Sequence, residues 1–134
     1  MEIIGHQVTF FDIQSTKARQ FGFRMDLGGG QMLTCCGDEP LQPALESYAR
    51  GSKWLLHEAF CLYSQADMFD PYEKHHSTVK DACQLAERLV VRNLLLYHTE
   101  DRNLARRKEL YQEEGGRYYH GGLWIPEDLE TIDL

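Results

Sequence analysis

The chain has 134 residues, enough for one modest domain with its own core, and 43% of them are hydrophobic. Its 21 acidic residues outnumber 14 basic ones, for a formal net charge of −7, which argues against broad, phosphate-driven nucleic-acid binding but leaves room for a local basic groove. No segment approaches the ~18 to 20 apolar residues of a membrane span, and residues 1–13 lack the basic and apolar regions of a signal peptide, so the expectation is a cytoplasmic protein.

The first β-type run is QVTFFDI, residues 7–13. Two more, residues 21–27 and 31–36, flank Gly28-Gly29-Gly30 and predict a hairpin. Residues 40–50 predict a helix with Pro40 in its first turn, Asp38 or Glu39 as cap, and Leu41, Ala44, Leu45 and Tyr48 as one apolar stripe. Residues 54–60 (WLLHEAF) read as a buried strand, and 61–76 as a long irregular loop of a length that is often functional. Ser77 or Thr78 then caps a helix to about Leu89, with Thr78 and Asp81 at capping-box spacing. The continuous apolar run at 91–97 predicts a central strand, with His98 at its end. A helix follows over 103–114 and stops at Gly115-Gly116; residues 117–120, 123–125 and 131–134 are expected as closing strands. This order predicts an α/β fold, a mixed β-sheet with helices on one face, in a single domain over 1–134. It offers no second layer for the other face.

Cys35, Cys36, Cys61 and Cys83 form no CxxC pair, which leaves free thiols in a reducing cytosol as the simplest account. The one dense basic run, LARRK at 104–108, reads as a solvated helix face.

Metal-competent residues recur at the ends of the apolar runs. Asp38 follows QMLTCCG, His57 and Glu58 end WLL, His75 and His76 precede a helix, and His98 follows NLLLY. In open α/β folds, ligand sites gather at the carboxyl ends of strands. The competing structural reading makes Asp38 a helix cap and His98 a strand-end histidine satisfied by backbone. His57 reads as structural, His75 as a surface residue, and His6 and His120 as without a role. Tyr63, Phe69 and Tyr72 read as loop packing.

As an ordered set, Gly37-Asp38, LLHEAF (55–60), HST (76–78) and LLLYHT (94–99) resemble the metallo-β-lactamase superfamily, specifically its ribonuclease Z-like branch. The resemblance runs from about Phe21 to Leu134 and implies half of an αββα fold, the C-terminal half. It implies a metal-dependent hydrolase of phosphodiester or similar ester bonds when complete. It makes Asp38 the carboxylate bridging two divalent ions, expected to be zinc, and His98 a ligand of the second ion. Glu58 and His76 become the pair that handles protons near the scissile bond.

The chain also departs from that pattern. It contains no His-x-His-x-Asp-His stretch, the superfamily's main ligand set, which intact relatives carry in their N-terminal half. The further ligand histidine expected before Gly22-Phe23-Arg24 is replaced, with Gln14 nearest that position. The long insertion with which tRNA-processing members grip substrate is absent. Two ligands do not hold zinc tightly, so weak metal binding and no catalysis are expected of these 134 residues alone. The expected partner is the missing N-terminal half, or further copies of the chain, covering the open sheet face. The alternative function is a truncated or degenerate module acting by such association. A redox relative with a di-iron site is a third reading.

Overall fold

Seven strands make one mixed sheet whose spatial order is the chain order: β1 (Glu2–Ile3), β2 (His6–Asp12), β3 (Phe21–Asp26), β4 (Met32–Cys35), β5 (Trp54–Glu58), β6 (Asn93–Tyr97) and β7 (Gly122–Trp124). β1 to β4 are antiparallel and β4 to β7 parallel. The computed structural model describes residues 1–134. The three glycines close the β3–β4 hairpin as expected; all have positive φ, which glycine adopts without strain.

Four α-helical segments accompany the sheet: α1 (Glu46–Ala49), α2 (Ala66–Phe69), α3 (Val79–Arg88) and α4 (Arg107–Gly115). α3 opens with the expected capping box: Thr78 accepts from the Asp81 amide, and Asp81 accepts from the Thr78 amide. Its inner side, Val79, Ala82, Cys83, Ala86 and Leu89, joins Leu55, Leu94, Leu96 and Tyr111 in one core cluster. All four cysteines are free thiols. No helix is long and apolar enough to cross a membrane.

Four expected elements differ. The helix expected over 40–50 shrinks to a 3-10 turn at Pro43–Leu45 and one α-turn. A residue before proline is pushed out of the helical region, and Gln42 is extended, at φ −67° and ψ 143°. Neither Asp38 nor Glu39 caps this helix, and Ala44 is exposed rather than part of a buried stripe. Conversely, the stretch 61–76 is not wholly irregular but holds a 3-10 turn at Tyr63–Gln65 and α2. Residues 117–120 form no strand, because the Tyr118 and Tyr119 amides both bond the Gly115 carbonyl as the end of α4. Residues 131–134 join no ladder.

The turn at 63–65 rests on a distant carboxylate. Glu114, buried at the end of α4, accepts from the Tyr63 amide at 2.6 Å and the Ser64 amide at 3.2 Å. Glu114→Ala leaves both donors without this acceptor, and the expected loss is roughly 1 to 3 kcal/mol, read from urea unfolding.

Strand alternation splits the sheet into two unlike faces. On one, Leu55, Leu94, Leu96 and Phe11 pack under the helices. On the other, ladder register aligns Phe10, Phe23, Cys35, Leu56, Leu95 and Trp124 in one row across six strands. No helix covers that row: Phe10 is 48% and Trp124 40% exposed, while Phe23, Leu56 and Leu95 are half-buried.

Candidate metal centre

The same alternation sorts the strand-end residues. His57 points to the helix face and is fully satisfied: its Nε2 accepts from the Leu41 amide at 3.2 Å, and its Nδ1 bonds the Glu58 carbonyl at 2.7 Å. Burial holds its pKa below the ordinary value. Glu58, one residue on, points to the bare face. It is fully buried, with Oε1 accepting from the Ser77 amide at 2.5 Å and Oε2 without a hydrogen-bond partner.

That amide comes from the loop leading into α3. The Phe60 amide bonds the Ser77 carbonyl and the Val79 amide bonds Cys61, stitching residues 60–61 to 77–79. His76 is thereby set beside Glu58, its Nδ1 lying 3.4 Å from Glu58 Oε2. The two are adjacent but not hydrogen-bonded, since both atoms are buried without a partner. Phe60 stacks on the His76 ring at 5.1 Å between centroids, and Lys74 sits 5.4 Å over Phe60.

His98 completes the cluster from the end of β6. Its ring lies 4.9 Å from that of His76, its backbone is left-handed at φ 57°, and its side chain is exposed. One ligand atom from each of Glu58, His76 and His98 lies within 4.8 Å of the others. Asp38 sits outside this trio. Its loop turns at Gly37, φ 79°, whose carbonyl accepts from the Tyr97 hydroxyl, and its Oδ1 is buried without a partner.

Burial pushes the Glu58 carboxyl up to about 8, with the Ser77 amide pulling it down and the Asp38 charge adding to the rise. Burial also holds His76 below its ordinary value, aided by Lys17 and His98, while Asp38 pulls it up. Three buried, unpartnered ligand atoms, on Asp38, Glu58 and His76, are what a cation site presents when its donors face inward. The donor set therefore fits a divalent metal.

Gln14 plays no part in the trio: it is exposed, at φ 62°, on a turn where its amide bonds Asp12. Two contributors were not legible beforehand. Phe60 closes the LLHEAF run, but nothing in that run marks its stacking on His76. Lys17 reaches the site only because its loop folds against Glu39, 3.9 Å away.

No protein-family model matches the chain. The chain is 34% identical over 105 residues to a ribonuclease Z of Shouchella clausii, a match that covers 78% of this chain and 32% of that protein. It thus spans about a third of the length of the curated relatives it matches. Among solved structures, the metallo-β-lactamase fold protein YhfI of Bacillus subtilis superposes with TM-score 0.78 at 16% identity, over 95% of this chain and 49% of that one. Human tRNase Z, short form, superposes with TM-score 0.71 at 20% identity, over 99% of this chain and 45% of that one. With its Gly-Asp, His-Glu, His-Ser-Thr and strand-end histidine in order on this sheet, the chain is a ribonuclease Z-like member of the metallo-β-lactamase superfamily that spans about half of the fold.

Proposed function

We propose that these 134 residues form one wall, in a single domain, of a metal-dependent hydrolase active site for phosphodiester or similar ester bonds. The observation that carries this reading is the convergence of Glu58, His76 and His98 at the carboxyl ends of parallel strands, on the face left open to a second layer. Asp38 and His98 are the residues for the divalent ions, with zinc as the metal suited to imidazole and carboxylate. Bound ions in such a site supply Lewis acidity and an activated water. In this reading His76 hands a proton to the leaving oxygen and Glu58, 3.4 Å from its Nδ1, orients it, with Phe60 stacked on the His76 ring. The free thiols suit a reducing, cytoplasmic setting.

The bare sheet face needs a partner in this reading, either an N-terminal half bearing His-x-His-x-Asp-His or a second copy of the chain. A bis-aryl phosphodiester assay in zinc or manganese tests the hydrolase reading. No turnover is expected from the chain alone. Mixing it with a separately expressed N-terminal half of a ribonuclease Z is expected to bring turnover that His76→Ala lowers by about 100-fold or more. Turnover insensitive to His76→Ala counts against the assignment. Should no such half restore activity while the chain still associates, the non-catalytic module is the better reading.

A further inference from the structure

The amino ends of the parallel strands hold a second polar cluster. Lys53 and Arg92 immediately precede β5 and β6, whose register pairs Trp54 with Asn93, so the two cations are cross-strand neighbours. The ladder continues through them: the Arg92 amide donates to the Ser52 carbonyl and the Asn93 amide to the Lys53 carbonyl, each at 3.0 Å. We infer that Lys53 and Arg92, with the Gln31 side-chain amide, form a binding site for a phosphate-type oxyanion. This goes beyond the hydrolase reading and does not rest on it, because the 5 residues of β5 set this cluster ~17 Å from the carboxyl end of the strand, where Glu58 lies.

Neighbouring strands lie ~4.8 Å apart, so two cations at one register position repel each other. No carboxylate offsets them: none of the chain's ion pairs includes Lys53 or Arg92. The carboxylates of the flanking helices are engaged elsewhere, Glu46 of α1 with Arg88 and Glu87 of α3 with His120. In a chain with 21 acidic and 14 basic residues, these two make a fixed positive spot on an acidic surface. An anion held between them removes the repulsion.

Both residues line one open cavity of about 290 Å3, walled by the turns at Gly30, Gly51 and Val90 and lined by no acidic residue. That is near the lower limit of small-molecule clefts, ~300 Å3, and suits a single oxyanion whose substituent leads out to solvent. Gln31 supplies a third donor. Its Oε1 accepts from Lys53 Nζ at 3.2 Å, which steadies the lysine and leaves the Nε2 amide to donate. Arg92 brings the planar fork that grips two oxygens of a phosphate, and Lys53 brings a point charge. Val90 stands in the wall with a left-handed backbone, φ 57°, and an exposed side chain. A β-branched residue is strained there, and such strain gathers where chain is shaped around a ligand.

The test titrates the chelator-treated chain with inorganic phosphate, read by amide chemical shifts, and with a fluorescent single-stranded RNA oligomer, read by anisotropy. The expected result is saturable phosphate binding with the largest shifts at Gly30, Gln31, Gly51, Lys53 and Arg92. Lys53→Met and Arg92→Met are each expected to weaken it by about tenfold. Arg106→Met and Lys108→Met remove cations already paired with Glu109 and Glu130, and are expected to leave it unchanged. Circular dichroism checks that each variant is folded, and Arg92→Met, changing an exposed side chain, keeps the test decisive if Lys53→Met unfolds. RNA that binds more tightly than phosphate, and weakens in both variants, makes a nucleic-acid backbone the source of the oxyanion; phosphate binding alone makes it a free ion; either upholds the site. No saturable binding of either probe, shifts confined to His76 and His98, or equal weakening by Arg92→Met and Arg106→Met overturns it.

Discussion

Leu95→Lys is expected to turn the isolated chain from a self-associating species into a monomer without unfolding it. Leu95 lies within the uncovered row, between Leu56 and Trp124. The row crosses five inter-strand steps of ~4.8 Å, about 24 Å of apolar surface. Monomers rarely leave contiguous apolar patches beyond a few hundred Å2 open. A lysine at the centre of a buried contact has to be desolvated, whereas on a bare face it stays in water, so the penalty falls on the interface and not on the fold. A central contact of this kind is worth about 2 kcal/mol or more, roughly a 30-fold change in dissociation constant. Light scattering of both proteins at equal micromolar concentration reads the difference. A wild-type chain that is monomeric under those conditions sinks the prediction.

The second large effect concerns Glu58. In metal-free protein its carboxyl is pushed up to about 8, against 4.5 for the ordinary group. Between these values the folded chain keeps a proton that the unfolded chain releases. Stability is therefore fully present below the lower value and is lost as pH rises through the upper one. His57 and His76 are held below their ordinary 6.5, so they act in the opposite sense, but only below that pH. From 6.5 to 8 the Glu58 slope stands alone among the three. Urea unfolding in the presence of chelator should show stability falling by about 1 kcal/mol per pH unit in that window. Glu58→Gln should be flat there, and more stable than the parent at pH 8 by an amount on the order of a few kcal/mol. Parallel profiles for the two proteins would show that Glu58 does not keep its proton in the folded state.

The local rules of the sequence determined a good deal. Alternation and apolar runs placed β2 to β6 within a residue or two, Thr78 and Asp81 marked the start of α3, and the three glycines marked the hairpin. These features are legible because each depends on neighbours a few residues apart. The ordered set Asp38, Glu58, His76 and His98 carried the family for a similar reason: each residue ends an apolar run, and a strand end is a local feature.

Tertiary structure alone decided the rest. The resemblance already set Glu58 in the site and His57 outside it, but the reason, that the helices cover the sheet face to which His57 points, is visible only in the tertiary structure. The turn at 63–65 depends on Glu114 some fifty residues away, and the loss of the strand expected at 117–120 on the Tyr118 and Tyr119 amides, which donate to the Gly115 carbonyl of α4. Above all, which donors meet is a matter of long-range packing. The Ser77 amide fixes Glu58, Phe60 stacks on His76, and His98 is presented from a different strand. Sequence order named the candidate ligands; only burial and the three-dimensional approach of Glu58, His76 and His98 brought three of them to one point.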